Sequence, residues 1–280
     1  VNSNTRYSSF TPQSSLFCYC CLYLILDELE AIGFDNSAFA RDKLMKLQRN
    51  ITTKIAYILD NWIPPAIRDS KCFMWFSFRL LFNDKANYFY TFKDQAFSMS
   101  HTEFSGVYEK LASVHIERET DLNEACITKI LDNLEGEHVL EVGCGRGYLS
   151  GKIVSSKPTT ACDMHISQKV KETYPTVNFI EANIETLPYK DHQFDTVICT
   201  HTLEHVINIS KAISELRRVS NKRLIIVVPK QRPYKYTFDL HIHFFPYQWS
   251  LEAFLGGVNK HSEIAELEGD WYYQEEIERV

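Results

Sequence analysis

Residues 138–150 read HVLEVGCGRGYLS: an apolar run of strand character, then Gly143, Gly145 and Gly147 at alternate positions, then helix-forming residues. No other stretch narrows the fold as far. A short apolar run that breaks into glycines and restarts as a helix is the opening turn of a βα unit, and a ligand of such a unit lies beyond the carboxyl end of the strand. Glycine there permits unusual backbone angles and lets a ligand touch the main chain, while the helix N-terminus offers unpaired N–H groups to an anion.

The same alternation runs through the second half of the chain. The pattern predicts a helix near 121–135, strand 138–142, helix 148–155, strand 159–163, helix 166–173 and strand 177–181. Strand 194–200, helix 207–219, strand 223–228 and helix 249–256 follow. Short strands separated by helices predict an α/β fold: a Rossmann-like, doubly wound, mostly parallel sheet with right-handed crossovers. The last segment, SEIAELEGDWYYQEEIERV, predicts a terminal antiparallel hairpin turning at Gly269-Asp270. The final strand of the sheet has to fit within the last dozen residues.

Residues 1–120 follow a different regime, rich in aromatics and helical periodicity, and are expected to form a helical N-terminal region ahead of a 121–280 domain. Asp35 or Ser37 is placed to cap a helix that runs to about Trp62 with Leu44, Leu47, Ile51, Ile55, Ile58 and Leu59 on one face, stopped by Pro64 and Pro65. The segment KCFMWFSFRLLF at 71–82 is apolar nearly all round and reads as a buried helix.

Composition sets outer limits. With 45% hydrophobic and 24% charged residues the chain is an ordinary globular one. The apolar run at 15–26 is shorter than the ~18 residues of a membrane span and ends on Asp27, Glu28 and Glu30, so neither membrane insertion nor a cleaved signal peptide is expected. A net charge of −6 leaves no broad basic footprint for nucleic acid. The eight cysteines, three of them in or beside predicted strands, read as reduced thiols of a cytoplasmic protein.

The loop spacing narrows the ligand. A dinucleotide loop reads G-x-G-x-x-G; this one reads G-x-G-x-G after Glu141, and Asp163 follows at the end of the next strand, where a carboxylate accepts both hydroxyls of a ribose. That combination points to a nucleoside. With EANIETLPYKDHQFDTVICTHTLEHV and LIIVVP following VLEVGCGRGYLS in order, residues 108–257 resemble the class I S-adenosylmethionine-dependent methyltransferases, specifically the UbiE/UbiG-like type 11 family.

The resemblance implies S-adenosylmethionine as cofactor and S-adenosylhomocysteine as product. It implies that Glu141, Gly143, Cys144, Gly145 and Gly147 hold the methionine part, that Asp163 takes the ribose, and that Met164, Asn183 and Ile184 border the adenine. Thr200 and His201, at the end of the fourth strand, would face the sulfonium and the acceptor. His115, Arg118 and Tyr108 fall where such enzymes close over the cofactor carboxylate.

A sulfonium methyl is already activated, so the protein has to align an acceptor and, for a hydroxyl, take its proton. His201, His205 and His243 are the candidates, with His201, Glu204 and His205 spaced for one helical face and His241 close by. The segment is similar to the Glu-x-x-Glu-His of small-RNA and quinone O-methyltransferases that bind a divalent metal, but His201 replaces the first Glu. A set with three His and one Glu would suit zinc, nickel or iron better than magnesium. Other members of the branch carry Leu-Glu-His-Val without metal; a histidine acting as base or hydrogen-bond partner is the preferred reading, and no metal ligand is assigned.

The expected reaction is methyl transfer to a hydroxyl of a small molecule, with C- or N-methylation and a cofactor-binding module without turnover as alternatives. A nicotinamide-dependent oxidoreductase is more remote, since its Tyr-x-x-x-Lys pair occurs only as Tyr148 and Lys152, beside the loop. The fourth strand lacks the Asn/Asp-Pro-Pro-Tyr of enzymes that methylate base amino groups. The aromatic runs at 233–238 and 244–249 and the N-terminal region are expected either to wall an apolar or aromatic pocket or to serve as core aromatics, and the N-terminal region to act as a lid, substrate or homodimer surface.

Overall fold

A computed structural model describes residues 62–82, 85–111, 119–236, 239–257 and 260–278. The chain divides into two compact units, Val1–Asn87 with Val114–Ile116, and Tyr88–Ser113 with Glu117–Val280. The expected helix from 35 to 62 and the apolar run at 15–26 lie outside the described residues, as do His115 and Arg118.

In the first unit, Pro64 and Pro65 open the short helix α1 (Pro65–Arg68), and α2 spans Lys71–Phe82. Proline at a first helical position costs nothing because its missing N–H would have had no partner. The segment expected to be buried nearly all round is not: Phe73, Met74 and Phe78 are buried, whereas Trp75 is 55% exposed and Cys72 also faces outward.

The second unit carries the sheet. It takes in α3 (Ala86–Ala96) from Tyr88 onward and α4 (His101–Leu111), which stand ahead of residue 121. Phe92, Phe104 and Tyr108 from these helices cluster with ring centroids 5.2–6.2 Å apart. The alternation then follows as predicted: α5 (Glu124–Asp132), β1 (Val139–Val142), α6 (Tyr148–Ile153), β2 (Thr159–Asp163), α7 (Gln168–Thr173) and β3 (Asn178–Glu181). Next come β4 (Phe194–Thr200), a 3-10 turn (Leu203–His205), α8 (Ile209–Val219), β5 (Ser220–Pro229), α9 (Gln248–Leu255), β6 (Ser262–Leu267) and β7 (Asp270–Glu276).

The strands form one seven-stranded sheet in the order β3-β2-β1-β4-β5-β7-β6. β1 to β5 are parallel; β7 runs antiparallel between β5 and β6, so the terminal hairpin supplies the last two strands. The order reverses at β1, which pairs with both β2 and β4, and a ligand crevice opens at such a switch point.

Period-two alternation sends strand side chains into two cores. Leu140, Val142, Val197, Cys199, Leu224 and Ile226 pack with α8 and α9, while Val139, Ile198, Ile225 and Val227 pack with α5 and α6. α8 buries Ile209, Ala212, Ile213, Leu216 and Val219, one stripe at helical spacing, and Asn208 caps it by accepting from the Lys211 N–H. Among the described residues Cys72, Cys126, Cys144, Cys162 and Cys199 are free thiols. No helix of the described residues is long and apolar enough to cross a membrane.

Candidate functional site

The loop after β1 folds as its glycines allow. Gly143, Gly145 and Gly147 take φ values of +77°, +49° and +71°, the left-handed region that side chains with a Cβ avoid. Their reasons differ. A Cβ on Gly143 would stand 2.0 Å from Thr202 Oγ1, so the exits of β1 and β4 meet there. A Cβ on Gly145 would meet nothing within 4 Å, which leaves that stretch of main chain open to a ligand.

Asp163 ends β2 with its carboxylate turned to this loop. Oδ2 accepts from the Gly145 N–H at 2.8 Å, and the His165 N–H stands 3.5 Å from Oδ1. Burial pushes its acid constant up, and the N–H groups of Gly145, His165 and Met164 partly offset that. Met164 beside it is 38% exposed. Gly143 and Cys144 give their N–H groups to the Cys162 carbonyl and Gly147 gives its own to Cys144, which fixes the loop against β2.

These residues fit S-adenosylmethionine: a carboxylate for vicinal ribose hydroxyls, an exposed thioether for an adenine face, and bare backbone at Gly145. Glu141 is buried and accepts the Ser150 hydroxyl; burial lifts its acid constant to about 7. Asn183 Oδ1 is engaged by the Glu185 N–H at 2.8 Å. Ile184, Cys144 and Thr200 are buried.

A second cluster stands at the end of β4. His201 takes a φ of +46°, and the 3-10 turn replaces the helix implied by the His201, Glu204 and His205 spacing. The three side chains still converge, because the left-handed residue folds the chain back on itself. The Glu204 carbonyl accepts from the N–H groups of Ile242 and His243, which ties this turn to the segment after β5.

Glu204 is fully buried, and neither carboxylate oxygen completes a hydrogen bond. His201 Nδ1 lies 3.5 Å from Glu204 Oε1, and its Nε2 lies 3.4 Å from Asp270 Oδ2. Burial alone would push His201 down, but Asp270 and Glu204 raise it to about 10. Burial alone would likewise push Glu204 up; His201, His205 and His241 bring it to about 2.

The other histidines take different places. His205 Nδ1 meets the Tyr108 hydroxyl at 3.0 Å, and its ring crosses that of His241 at 4.6 Å. His241 Nδ1 meets Gln231 Oε1 at 2.5 Å and turns Nε2 to within 3.9 Å of Glu204. His243 stands apart: its Nε2 meets the Val206 carbonyl at 2.9 Å, its ring packs on Phe97 and Phe254, and burial lowers its acid constant.

Glu204, His205 and His241 lie within 4.8 Å of one another, near enough for one ion. The four-residue metal set implied by the resemblance does not form, however. His201 faces a carboxylate with each nitrogen and has no lone pair to give, and its positive charge 3.5 Å from Glu204 opposes a divalent cation there.

Sequence reasoning missed Asp270, Gln231 and Asn123. Asn123 caps α5 through the Cys126 N–H and donates to Asp270 Oδ2 at 2.8 Å, so the hairpin and α5 together hold the carboxylate on His201. Asp270 sits in a turn signal, and nothing local tells a turn aspartate from a buried one.

Residues 140–227 match the family model described as a methyltransferase domain. An uncharacterised protein of Methanocaldococcus jannaschii is 37% identical over 36% of this chain and 44% of its own. A 2-phytyl-1,4-naphtoquinone methyltransferase of Nostoc is 29% identical over 30% and 42%. A ubiquinone biosynthesis O-methyltransferase of Dechloromonas aromatica is 33% identical over 31% and 41%. The chain spans less than half the length of these relatives. With the cofactor loop, Asp163 and the sheet order in place, residues 140–227 form a class I S-adenosylmethionine-dependent methyltransferase domain of the type 11 family.

Proposed function

We propose that the chain transfers a methyl group from S-adenosylmethionine to a hydroxyl of a small aromatic or quinone-type molecule. The observation that carries the reading is the direct approach of Thr202, which stands between His201 and Glu204 in the β4 turn, to Gly143 of the glycine loop. The relatives named for quinone substrates support the acceptor class, and the one named for O-methylation supports oxygen.

The cofactor, when bound, supplies an activated sulfonium methyl. Asp163 and the open main chain at Gly145 fix the nucleoside, with Met164, Asn183 and Ile184 beside the adenine and Glu141, Cys144 and Thr200 lining the floor. His205 accepts the proton that an acceptor hydroxyl loses, and ionised Glu204 stabilises the imidazolium that results. His201, held by two carboxylates, keeps Glu204 ionised. The ring pairs Phe92–Phe104 and Tyr234–Phe244 supply apolar walling. The five free thiols among the described residues suit a reducing cytoplasm.

The test is incubation with methyl-labelled S-adenosylmethionine and catechol or a hydroquinone, with products resolved by mass spectrometry. Label in a methyl ether supports the reading; label on ring carbon shifts it to C-methylation. Cofactor binding with no transfer to any acceptor leaves a binding module.

A further inference from the structure

We infer that Tyr108 is a catalytic residue, a phenol that relays the acceptor's proton to His205. The inference rests on the methyl-transfer reading above. Tyr108 comes from α4, far from the β4 turn in sequence, yet its hydroxyl stands 3.0 Å from His205 Nδ1 and their rings cross at 5.7 Å. Phe92 and Phe104 pack around the Tyr108 ring and fix its direction. The His205 ring also crosses that of His241, with centroids 4.6 Å apart.

The neighbours decide which way the proton points. Glu204 is a buried carboxylate within 4.8 Å of a His205 nitrogen. With Nδ1 engaged by the phenol hydroxyl, an ionised carboxylate close to the ring favours N–H on the other nitrogen, Nε2, and leaves Nδ1 as the acceptor. The phenol then donates to Nδ1, and its oxygen lone pairs are left for an acceptor hydroxyl. A base that reached the acceptor directly through Nδ1 would have to displace Tyr108.

The step balances. The C–S bond of the sulfonium breaks as the O–CH₃ bond forms on the acceptor. The acceptor's proton passes to the Tyr108 oxygen while the Tyr108 proton passes to His205 Nδ1. The products are a methyl ether, S-adenosylhomocysteine and an imidazolium beside Glu204, which returns its proton to solvent when product leaves.

The tautomer of His205 tests the relay without an acceptor. The full chain, labelled with ¹⁵N-histidine, is examined by NMR at neutral pH, with His205 assigned by its loss in His205→Gln. The relay predicts Nε2 protonated and Nδ1 bare, and Tyr108→Phe, which keeps the ring and its packing, shifts the Nδ1 resonance because that nitrogen loses its hydrogen-bond donor. If the assignment variant does not fold, the signals that change in Tyr108→Phe identify His205 instead. A protonated Nδ1 in the wild type overturns the proposal, because Tyr108 would then be an acceptor. With catechol and labelled cofactor, Tyr108→Phe is expected to lose 10²- to 10⁴-fold in kcat, while S-adenosylhomocysteine affinity stays within twofold. An unchanged kcat overturns the relay. A wild type that binds no S-adenosylhomocysteine defeats the methyl-transfer reading and leaves the tautomer result standing.

Discussion

His201 Nε2 stands 3.4 Å from Asp270 Oδ2, joining the end of the fourth strand to the first residue of the last. The other ring nitrogen faces Glu204, so the imidazole is gripped from both sides and needs both protons. The hairpin therefore does more than finish the sheet: it delivers the carboxylate that charges a histidine at the end of the fourth strand.

That pairing makes stability depend on pH in a definite window. The His201 acid constant rises from 6.5 to about 10 on folding, so its contribution is complete below pH 6.5 and is lost as pH climbs through 10. His201→Gln leaves two buried carboxylates without their cation and is expected to cost about 3 to 5 kcal/mol at pH 6. Urea melts at pH 6, 8 and 9.5 check this: the gap between variant and wild type should shrink with rising pH. A constant gap would show that His201 contributes packing alone.

Glu204 works in the opposite direction. Its acid constant falls from 4.5 to about 2, so its contribution is present above pH 4.5 and is lost as pH falls through 2. Glu204→Gln should leave the wild type's acid-side loss of stability flatter, which thermal melts between pH 5 and 3 would record.

The glycines should separate under substitution. Gly143→Ala combines a φ of +77° with a Cβ 2.0 Å from Thr202 and should lower stability by about 2 to 4 kcal/mol without any ligand. Gly145→Ala meets no neighbour and should cost about 1 to 2 kcal/mol of stability. Its larger effect should be on cofactor affinity. Melting curves and S-adenosylhomocysteine titrations of both variants distinguish the two roles.

Asn123→Ala removes both the α5 cap and the hydrogen bond to Asp270. Loss of the cap should cost about 1 kcal/mol, and the loosened Asp270 should let the His201 acid constant fall. An NMR titration of His201 in the variant reads that shift.

Much of this arrangement is legible in the sequence because its signals are local. Each strand of the parallel sheet carries its own apolar run, α8 its own stripe and cap, and the loop its own glycines. The histidine cluster is less so. The spacing of His201, Glu204 and His205 suggested a helix, but a left-handed His201 and a 3-10 turn bring the same side chains together by another route. His241 rather than His243 joins them, a choice settled by Gln231 and the Val206 carbonyl. Tyr108 and Asp270 reach the cluster from 97 residues before His205 and from the last strand of the chain, and no local pattern records a contact of that range.

Calorimetric titration of S-adenosylhomocysteine into wild type and Asp163→Ala probes the cofactor site. Micromolar binding by the wild type, weakened about 10- to 150-fold in the variant, is predicted, corresponding to about 1.5 to 3 kcal/mol for hydrogen bonds to a charged group. Equal affinity in both proteins, or no binding by the wild type, would contradict it.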